Sequence, residues 1–359
     1  MGKINIYYGA ANRDKDRFMF DSIAAVMPSD TILLVPDQYT LQAERNALKY
    51  LNASTLFELS IMSRTSFIHY IVEAHGGLEA TAVDDYGRFM LLTKLAADEL
   101  EEEIRISREN NSALANMQSG GIFDSARKDR SFINMMNDFI TEMKQFGIDA
   151  GDFISAANNL DDEKGELLKA KLTEIGRIYE KYEKLMLGKF SDREDLLVVV
   201  ANKIPESEKV AGSIFWVDGL ESLTPNSIRL LKSIAETAPE INIVLSDDGS
   251  RDRALSISAD TRRRIREMVQ ESDIVLQETL IPDEYSMNLN PELSITAADD
   301  IYSEAESAAI LISELVRDKG YRYKDIYMLC NDTDIRGSAI RRIFDLYGIP
   351  LFMDLKKGI

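Results

Sequence analysis

Apolar positions change their period three times along the chain. Ile4 to Tyr8 is a short run of β-favouring residues ending at Gly9, and Thr31-Ile32-Leu33-Leu34-Val35 is an unbroken apolar run halted by Pro36. An unbroken run fits a strand covered on both faces, as in a parallel sheet. Between the two, Arg17 to Met27 has helical spacing, with Phe18, Ile23 and Val26 as candidate core contacts. A third strand is expected near Ser54 to Phe57, then a helix from Met62 to Ala74 stopped by Gly76-Gly77. Strand–helix alternation of this kind predicts a doubly wound parallel sheet.

From about Asp84 to Ile204 the β-branched runs vanish. Leu168, Leu172, Ile175, Tyr179, Tyr182 and Met186 recur three and four residues apart, the stripe of an amphipathic helix packed on other helices. Asp98, Glu99, Glu101, Glu102 and Glu103 form a solvated acidic face, and Asn110-Asn111-Ser112 and Ser119-Gly120-Gly121 are expected loops. The whole segment is expected to be a helical insertion. Strand character returns at Ser213 to Val217, ending in Asp218-Gly219, and at Ile241 to Leu245, ending in Ser246-Asp247-Asp248. Carboxylates at strand ends lie where open α/β sheets bind ligands. A further unit starts near Leu293. Strands are expected at Leu293 to Ala297, Asp325 to Leu329 and Pro350 to Asp354, with one helix opened by the capping pair Ser303 and Glu306 and a second from about Gly337 to Tyr347. The order ends on a strand with no helix after it, so the chain is read as the N-terminal part of a longer protein.

Composition narrows the classes. A chain of 359 residues exceeds one compact core. Forty-two basic against 61 acidic residues, net −19, exclude a uniformly basic nucleic-acid coat and a polybasic membrane anchor. A local DNA groove stays open: residues 1–82 carry seven basic and nine acidic groups, so the excess acid lies later. One cysteine, Cys330, and two histidines cannot build a disulfide framework, a cysteine-rich zinc site or an iron–sulfur cluster. No basic-then-apolar leader opens the sequence and no apolar run reaches the roughly 18 residues of a membrane span, so a cytoplasmic protein without membrane contact is expected.

The candidate chemistry starts after the first strand. Gly9-Ala10-Ala11-Asn12-Arg13-Asp14-Lys15-Asp16 keeps the Gly and Lys spacing of a phosphate-binding P-loop, in the right strand–loop–helix context. Asp14 replaces the second Gly, and Asp16 the magnesium-binding hydroxyl. Both add negative charge where a phosphate would sit, so an ordinary βα turn is the competing reading. Asp218 falls where a helicase strand offers its magnesium carboxylate, and Gly219 stands where the water-positioning Glu would be. Arg262, Arg263, Arg264 and Arg266 make a second basic stretch, read as a solvated helix face.

Further landmarks follow in order: Leu34-Val35-Pro36-Asp37-Gln38-Tyr39-Thr40 with Glu44; Ser60 to Phe67 with Ser63-Arg64; Phe190-Ser191-Asp192; Trp216-Val217-Asp218-Gly219-Leu220 with Leu223-Thr224-Pro225; Lys319-Gly320-Tyr321-Arg322-Tyr323-Lys324-Asp325; and Tyr347-Gly348-Ile349-Pro350-Leu351-Phe352. As a set, spread over nearly the whole chain, they resemble the N-terminal part of the B subunit of the AddAB (RexAB) helicase–nucleases, ATP-dependent deoxyribonucleases that process double-strand breaks. The resemblance implies an α/β fold of the P-loop NTPase (RecA-like), superfamily-one helicase type. Its first RecA-like domain would comprise residues 1–83 and 205–290 with a degraded P-loop. Residues 84–204 would be the helical insertion, and 291–359 the truncated start of a second RecA-like domain. It further implies a heterodimer with an A subunit that holds the motor. Full-length members use Mg and ATP and carry an iron–sulfur cluster in a C-terminal nuclease domain, whereas no cofactor is expected in this chain.

The resemblance also marks Gln38, Thr40, Arg64 and Phe67 as DNA-facing. Gln suits a base edge, Arg a phosphate or base, and an aromatic ring a stacked base. Phe67 stands where a Trp is common in the family and Met62 where an aromatic is common. Competing readings are helix core for Phe67 and Met62, loop-to-helix capping for Gln38 and Thr40, and an ion pair with an acidic neighbour for Arg64. Gly9, Lys15 and Asp218 form the degenerate nucleotide site. The expected function is a non-motor, DNA-engaging scaffold without ATPase or nuclease activity of its own. The rivals are a working ATPase that binds nucleotide through Lys15 and Asp218, and an interaction module that only holds the partner motor.

Overall fold

The computed structural model describes residues 2–27, 29–52, 59–76, 80–109 (99–109 as backbone), 122–123, 126–127, 129–160, 165–219, 222–250, 252–287 and 291–353. The chain divides into two compact units, Met1–Asn288 and Leu289–Ile359.

Six parallel strands form the sheet of the first unit: β1 (Lys3–Gly9), β2 (Thr31–Val35), β3 (Leu59–Ser63), β6 (Ile214–Val217), β7 (Glu240–Ser246) and β8 (Val275–Leu280), in the order β3-β2-β6-β7-β1-β8. The apolar runs are continuous because both faces are covered. On one face Ile32, Leu34, Phe215, Val217, Ile241 and Ile243 pack with α3 (Arg64–His75), α8 (Arg193–Lys203), α10 (Pro225–Thr237) and α11 (Ser256–Gln270). On the other, Leu33, Val35, Trp216 and Val244 meet α1 (Lys15–Val26) and α2 (Thr40–Tyr50). Every residue of β2 is buried, as an inner strand wound on both faces requires.

The third strand lies at Leu59–Ser63, whereas the expected position, Ser54 to Phe57, lies outside the described residues, as does Gly77. Met62 and Ser63 therefore belong to a strand, and the following helix starts at Arg64, with Ser63 capping it through Ser66 N–H. The edge strand β8 has no counterpart among the expected strands. Its sequence, Val275-Leu-Gln-Glu-Thr-Leu280, is half exposed and only partly apolar.

Within 84–204 no described residue joins the main sheet. The short β5 (Phe190–Ser191) pairs instead with β4 (Thr81–Ala82). Helices α4 (Asp85–Glu109), α5 (Arg130–Gln145), α6 (Ala150–Asn158) and α7 (Glu166–Met186) enclose a separate core around Leu92, Met136, Tyr179 and Tyr182. Helix α8 behaves differently: Leu197, Val200 and Ala201 pack on the main sheet, so the insertion's last helix belongs to the sheet's own helical layer. Asp98 is exposed, and the two expected loops in 110–121 lie outside the described residues.

In the second unit, α12 (Ile301–Lys319) and α13 (Thr333–Leu346) pack around Ala305, Ala309, Ile340 and Phe344. Asp300, not Ser303, caps α12: its carboxylate accepts from Tyr302 and Ser303 N–H, and Ser303 Oγ accepts in return from Asp300 N–H. The strands expected at Leu293 to Ala297, Asp325 to Leu329 and Pro350 to Met353 do not form ladders among the described residues; Asp354 lies outside them. A strand without a hydrogen-bonded neighbour is only extended chain. Ile326 and Met353 pack on the helices, while Tyr327, Leu329 and Phe352 are bare.

Candidate functional site

The carboxyl ends of the parallel strands carry two separate constellations. The first surrounds the loop after β1. Gly9, Lys15 and Asp218 meet at the ends of the neighbouring strands β1, β7 and β6: Gly9 is in register with Ser246, Lys15 Nζ donates to Ser246 Oγ, and Asp218 N donates to Leu34 O at 3.0 Å. The P-loop spacing thus brings Gly9 and Lys15 to Ser246, and Asp218 follows a strand that ends on the same edge, but the loop is closed. The Arg13 side chain lies on Gly9, where an added Cβ would sit 2.9 Å from Arg13 Cγ. Its guanidinium reaches Asp283 and Ser286. Asp14 N donates to Tyr285 O at 2.8 Å and Met287 N to Asn12 O at 2.8 Å, so residues 282–287 run across the loop like a strap. Tyr285 anchors the strap edge-on against Phe18.

The start of α1 is occupied as well. Asp14 caps it, its carboxylate accepting from Arg17 N–H at 3.0 Å, and Lys15 N–H goes to Arg13 O. A P-loop aims such N–H groups at a phosphate; here the chain's own oxygens take them. Asp16 turns inward to Asn46 (2.7 Å) and the Tyr39 hydroxyl (3.3 Å). Burial raises the Asp16 carboxyl above its usual range. Burial, with Asp16 and Asp218 nearby, pushes the Tyr39 phenol up to about 12. Gly219 has φ +67°, and a Cβ there would meet Pro36 at 3.0 Å, so the backbone itself disfavours a glutamate. These residues do not fit ATP and magnesium. Nor does the single Cys330, whose Sγ contacts Asp332 O, supply the ligands of an iron–sulfur cluster. No group able to hold a metal ion is found among the described residues, and none of their helices is long and apolar enough to cross a membrane.

Arg262 fills the next position along the edge and corrects its reading as solvated. Its side chain is 12% exposed, pairs with Asp247 at 2.8 Å and Glu278 at 3.0 Å, and stacks 3.8 Å from the Tyr8 ring. Arg263 and Arg264 pair with Asp260, and Arg266 with Glu278. That basic stretch is neutralised internally.

The second constellation lies at the ends of β2, β3 and β6. Gln38 is exposed in the turn Pro36–Tyr39, closed by Tyr39 N–H to Pro36 O at 2.9 Å. Thr40 is the first residue of α2, past the cap position held by Tyr39, and that helix has no side-chain cap; capping therefore does not account for Thr40. Arg64 opens α3 and donates to Ser227 Oγ at 3.0 Å, at the start of α10. Among the described residues no carboxylate lies within ion-pair distance of Arg64. Burial lowers its pKa and the nearby charge of Arg193 lowers it further, while the carboxylates of Glu194 and Asp37, close but beyond ion-pair distance, pull it back up. Asp37 accepts from Thr65 Oγ1 at 3.0 Å and sits 3.8 Å from Arg193.

Phe67 departs from this group. It is fully buried, edge-on to Phe215 at 5.7 Å, inside the sheet's core. Its ring has no face to offer a base, so the core reading replaces the DNA-facing one; it falls one helical turn after Arg64 on the inward side. Met62 packs on the same core.

Two features escaped the sequence. The strap closes the loop from about 270 residues away, and Arg193 reaches Asp37 from the far side of the insertion. The capping sequence Ser191-Asp192-Arg193-Glu194-Asp195, which places an Arg in the first turn of a helix, was the only signal for Arg193. That turn is firmly held. Asp192 and Asp195 form a capping box, and Lys144 of α5 bonds both carboxylates at 2.8 Å. Asn226 of α10 bonds Lys144 O at 2.8 Å and ties the turn to the main sheet's layer.

Comparison with known proteins points in one direction. The family described as "ADDB, N-terminal" matches residues 6–295. The chain is 27% identical to the B subunit of the ATP-dependent helicase/deoxyribonuclease of Alkaliphilus metalliredigens, over 99% of this chain and 32% of that protein. It is 26% identical to the proteins of the same name from Clostridium novyi (98% and 32%) and Clostridium perfringens (99% and 32%). The chain spans about a third of the length of these curated relatives.

Proposed function

The chain belongs to the ADDB N-terminal family, and from that premise we propose that it is the helicase-like N-terminal portion of the B subunit of an ATP-dependent helicase/deoxyribonuclease. In this reading it is a RecA-like scaffold of the superfamily-one type, with residues 84–204 as its insertion and 291–359 as the start of a second RecA-like domain. It engages single-stranded DNA and an A subunit during double-strand-break repair and recombination, and does not hydrolyse ATP. The observation that carries the last point is the closed loop. Arg13, Asp14 and the strap use the groups that would hold a phosphate, and Gly219 replaces the water-positioning carboxylate. Asp14 and Asp16 add like-charge repulsion on the order of 1 kcal/mol or more per contact near a surface.

DNA engagement falls to the second constellation. Gln38 and Thr40 suit base edges, and Arg64 is a half-buried cation with no carboxylate at bonding distance among the described residues. Two measurements test the reading. Calorimetry with ATP and magnesium is expected to show no binding; a micromolar dissociation constant, abolished in Lys15→Ala, would establish the working-ATPase alternative. Fluorescence anisotropy with a labelled oligonucleotide is expected to show weak, salt-sensitive binding that Arg64→Ala reduces. Binding unchanged by Arg64→Ala and by Gln38→Ala would favour the pure interaction module.

A further inference from the structure

We infer that Arg193, contributed by the chain beyond the insertion, joins Arg64 in holding one phosphate of the bound single strand, so that the DNA surface is composite. The inference rests on the DNA-engaging reading of the same edge. It starts from an imbalance. Arg64 is half buried, and its hydrogen bond among the described residues goes to the neutral Ser227 hydroxyl. Arg193 faces solvent, its side chain 55% exposed; its 3.8 Å approach to Asp37 exceeds hydrogen-bond length, and no hydrogen bond from its guanidinium occurs among the described residues, so its donors are open to an incoming anion. Asp37 is engaged elsewhere, by Thr65 Oγ1 at 3.0 Å and more loosely by Thr65 N–H at 3.4 Å, next in sequence to Arg64. Asp37 and Glu194 balance the two arginines in charge, but neither reaches the Arg64 guanidinium at ion-pair distance, so what is left over is hydrogen-bonding capacity.

Two guanidiniums at one strand edge, each with donors to spare, match the several acceptor oxygens of a phosphodiester. They are also pre-arranged. Arg64 is fixed by Ser227, itself bonded to Thr224. The turn bearing Arg193 is fixed by the Asp192 capping box and by Lys144. The backbone carrying each arginine is thus held before the phosphate arrives, and the ordering left to be done is that of the exposed Arg193 side chain. Gln38 is exposed on the turn that carries Asp37, where a base attached to that phosphate would find a hydrogen-bonding side chain.

Shared custody of one phosphate makes a sharp prediction. A contact needing both arginines is lost once, whichever is removed. The experiment is fluorescence anisotropy of the 359-residue chain with a fluorescein-labelled oligothymidylate across a salt series, with a melting curve for each variant. Arg193→Ala and Arg64→Ala are each expected to weaken binding roughly tenfold at low salt, as one charge-assisted contact does. Each should flatten the log K against log salt slope by about 0.7, one phosphate's share for a single strand. The double variant should be no worse than either single one, and Arg193→Lys should keep the slope while binding less tightly than the parent. If Arg193→Ala binds like the parent while Arg64→Ala does not, the inference fails and the DNA reading survives. If neither changes binding, both fail. An additive double variant would mean two separate phosphates and would overturn the shared contact.

Discussion

Replacing Lys144 by Met tests whether the insertion is locked to the main sheet by buried charge. Lys144 Nζ lies 2.8 Å from Asp192 Oδ2 and 2.8 and 2.9 Å from the two Asp195 oxygens. The Asp192 side chain is 1% exposed and that of Lys144 11%. Tyr182 completes the shell: its ring faces the ammonium and its hydroxyl donates to Asp192 at 3.4 Å. Met keeps the stem but removes the cation bonded to both carboxylates. Breaking a buried pair by removing one partner costs about 3–5 kcal/mol, a large share of a typical stability of about 5–15 kcal/mol. The cost should depend on pH. In the parent, burial pushes the Asp192 carboxyl up, but Lys144 outweighs it and holds the pKa below the usual range. That stability is present above the unfolded value, about 3.9, and lost as pH falls through the lower folded value. Asp195 is raised by burial and by Asp192, so its contribution runs the other way, and the two titrate as a pair. Without the lysine both carboxyls should be raised, and stability is then lost as pH rises through their range. The deficit should therefore be full near neutral pH and shrink as pH falls to about 4, the ordinary carboxyl range. Urea unfolding followed by Trp216, the chain's single tryptophan and 3% exposed in the sheet's core, reads it out. A loss under about 1 kcal/mol at neutral pH would place the pair among weak surface contacts and refute the reasoning, as would a loss that does not vary with pH.

Phe67→Ala is expected to cost about 3–5 kcal/mol, the range for emptying an aromatic site in a packed core, while oligonucleotide affinity well below the melting temperature stays at the parent's value; a stable variant with weakened binding would return the ring to the DNA surface. Asp16→Asn should raise the melting temperature near neutral pH and not at about pH 4: a carboxyl whose folded pKa is raised favours folding below its unfolded value and loses that contribution as pH rises through the folded one. Equal melting temperatures for parent and variant near neutral pH would mean that Asn46 and Tyr39 fully offset the burial of that charge.

The inner strands were legible because burial on both faces leaves a signature that needs no partner information. Thr31 to Val35 and Ile241 to Leu245 are unbroken or nearly unbroken apolar runs, and each is a strand of the central sheet. Edge and mixed strands leave a weaker mark. Leu59-Ser-Ile-Met-Ser63 is interrupted by serine, and Val275 to Leu280 is half polar, so the pattern singles out neither. Local capping chemistry misleads by a few residues in α12, where both Asp300 and Ser303 are good cap residues and only backbone geometry chooses. At the site, Gly9, Lys15 and Asp218 were legible because loop spacing and strand ends fix them. The strap and Arg193 were not, because contacts spanning the insertion or nearly the whole first unit have no local period. Phe67 shows the limit of residue type: an aromatic three positions after a basic residue on a helix can face base or core, and only the helix's orientation on the sheet decides.

The two constellations share one edge of the parallel sheet and differ in how their cations are partnered. Around β1, β7 and β8 the cations have internal partners: Lys15 meets Ser246, Arg13 meets Asp283 and Ser286, and Arg262 meets Asp247 and Glu278. Such a closed set gains nothing from an added anion, because a phosphate would have to displace contacts already made. Around β2, β3 and β6 the cations Arg64 and Arg193 are held by neutral or overlong contacts, which leaves them the donors that the proposed phosphate contact would use. Gly219 connects the halves. Its left-handed backbone packs against Pro36, where the turn that presents Gln38 begins, and disfavours a side chain at that position. Restoring a glutamate there would strain the backbone and press on Pro36, disturbing the turn beside Arg64. A single side-chain change at Gly219 is therefore expected to disturb the turn that carries Gln38 and not to create an ATP site.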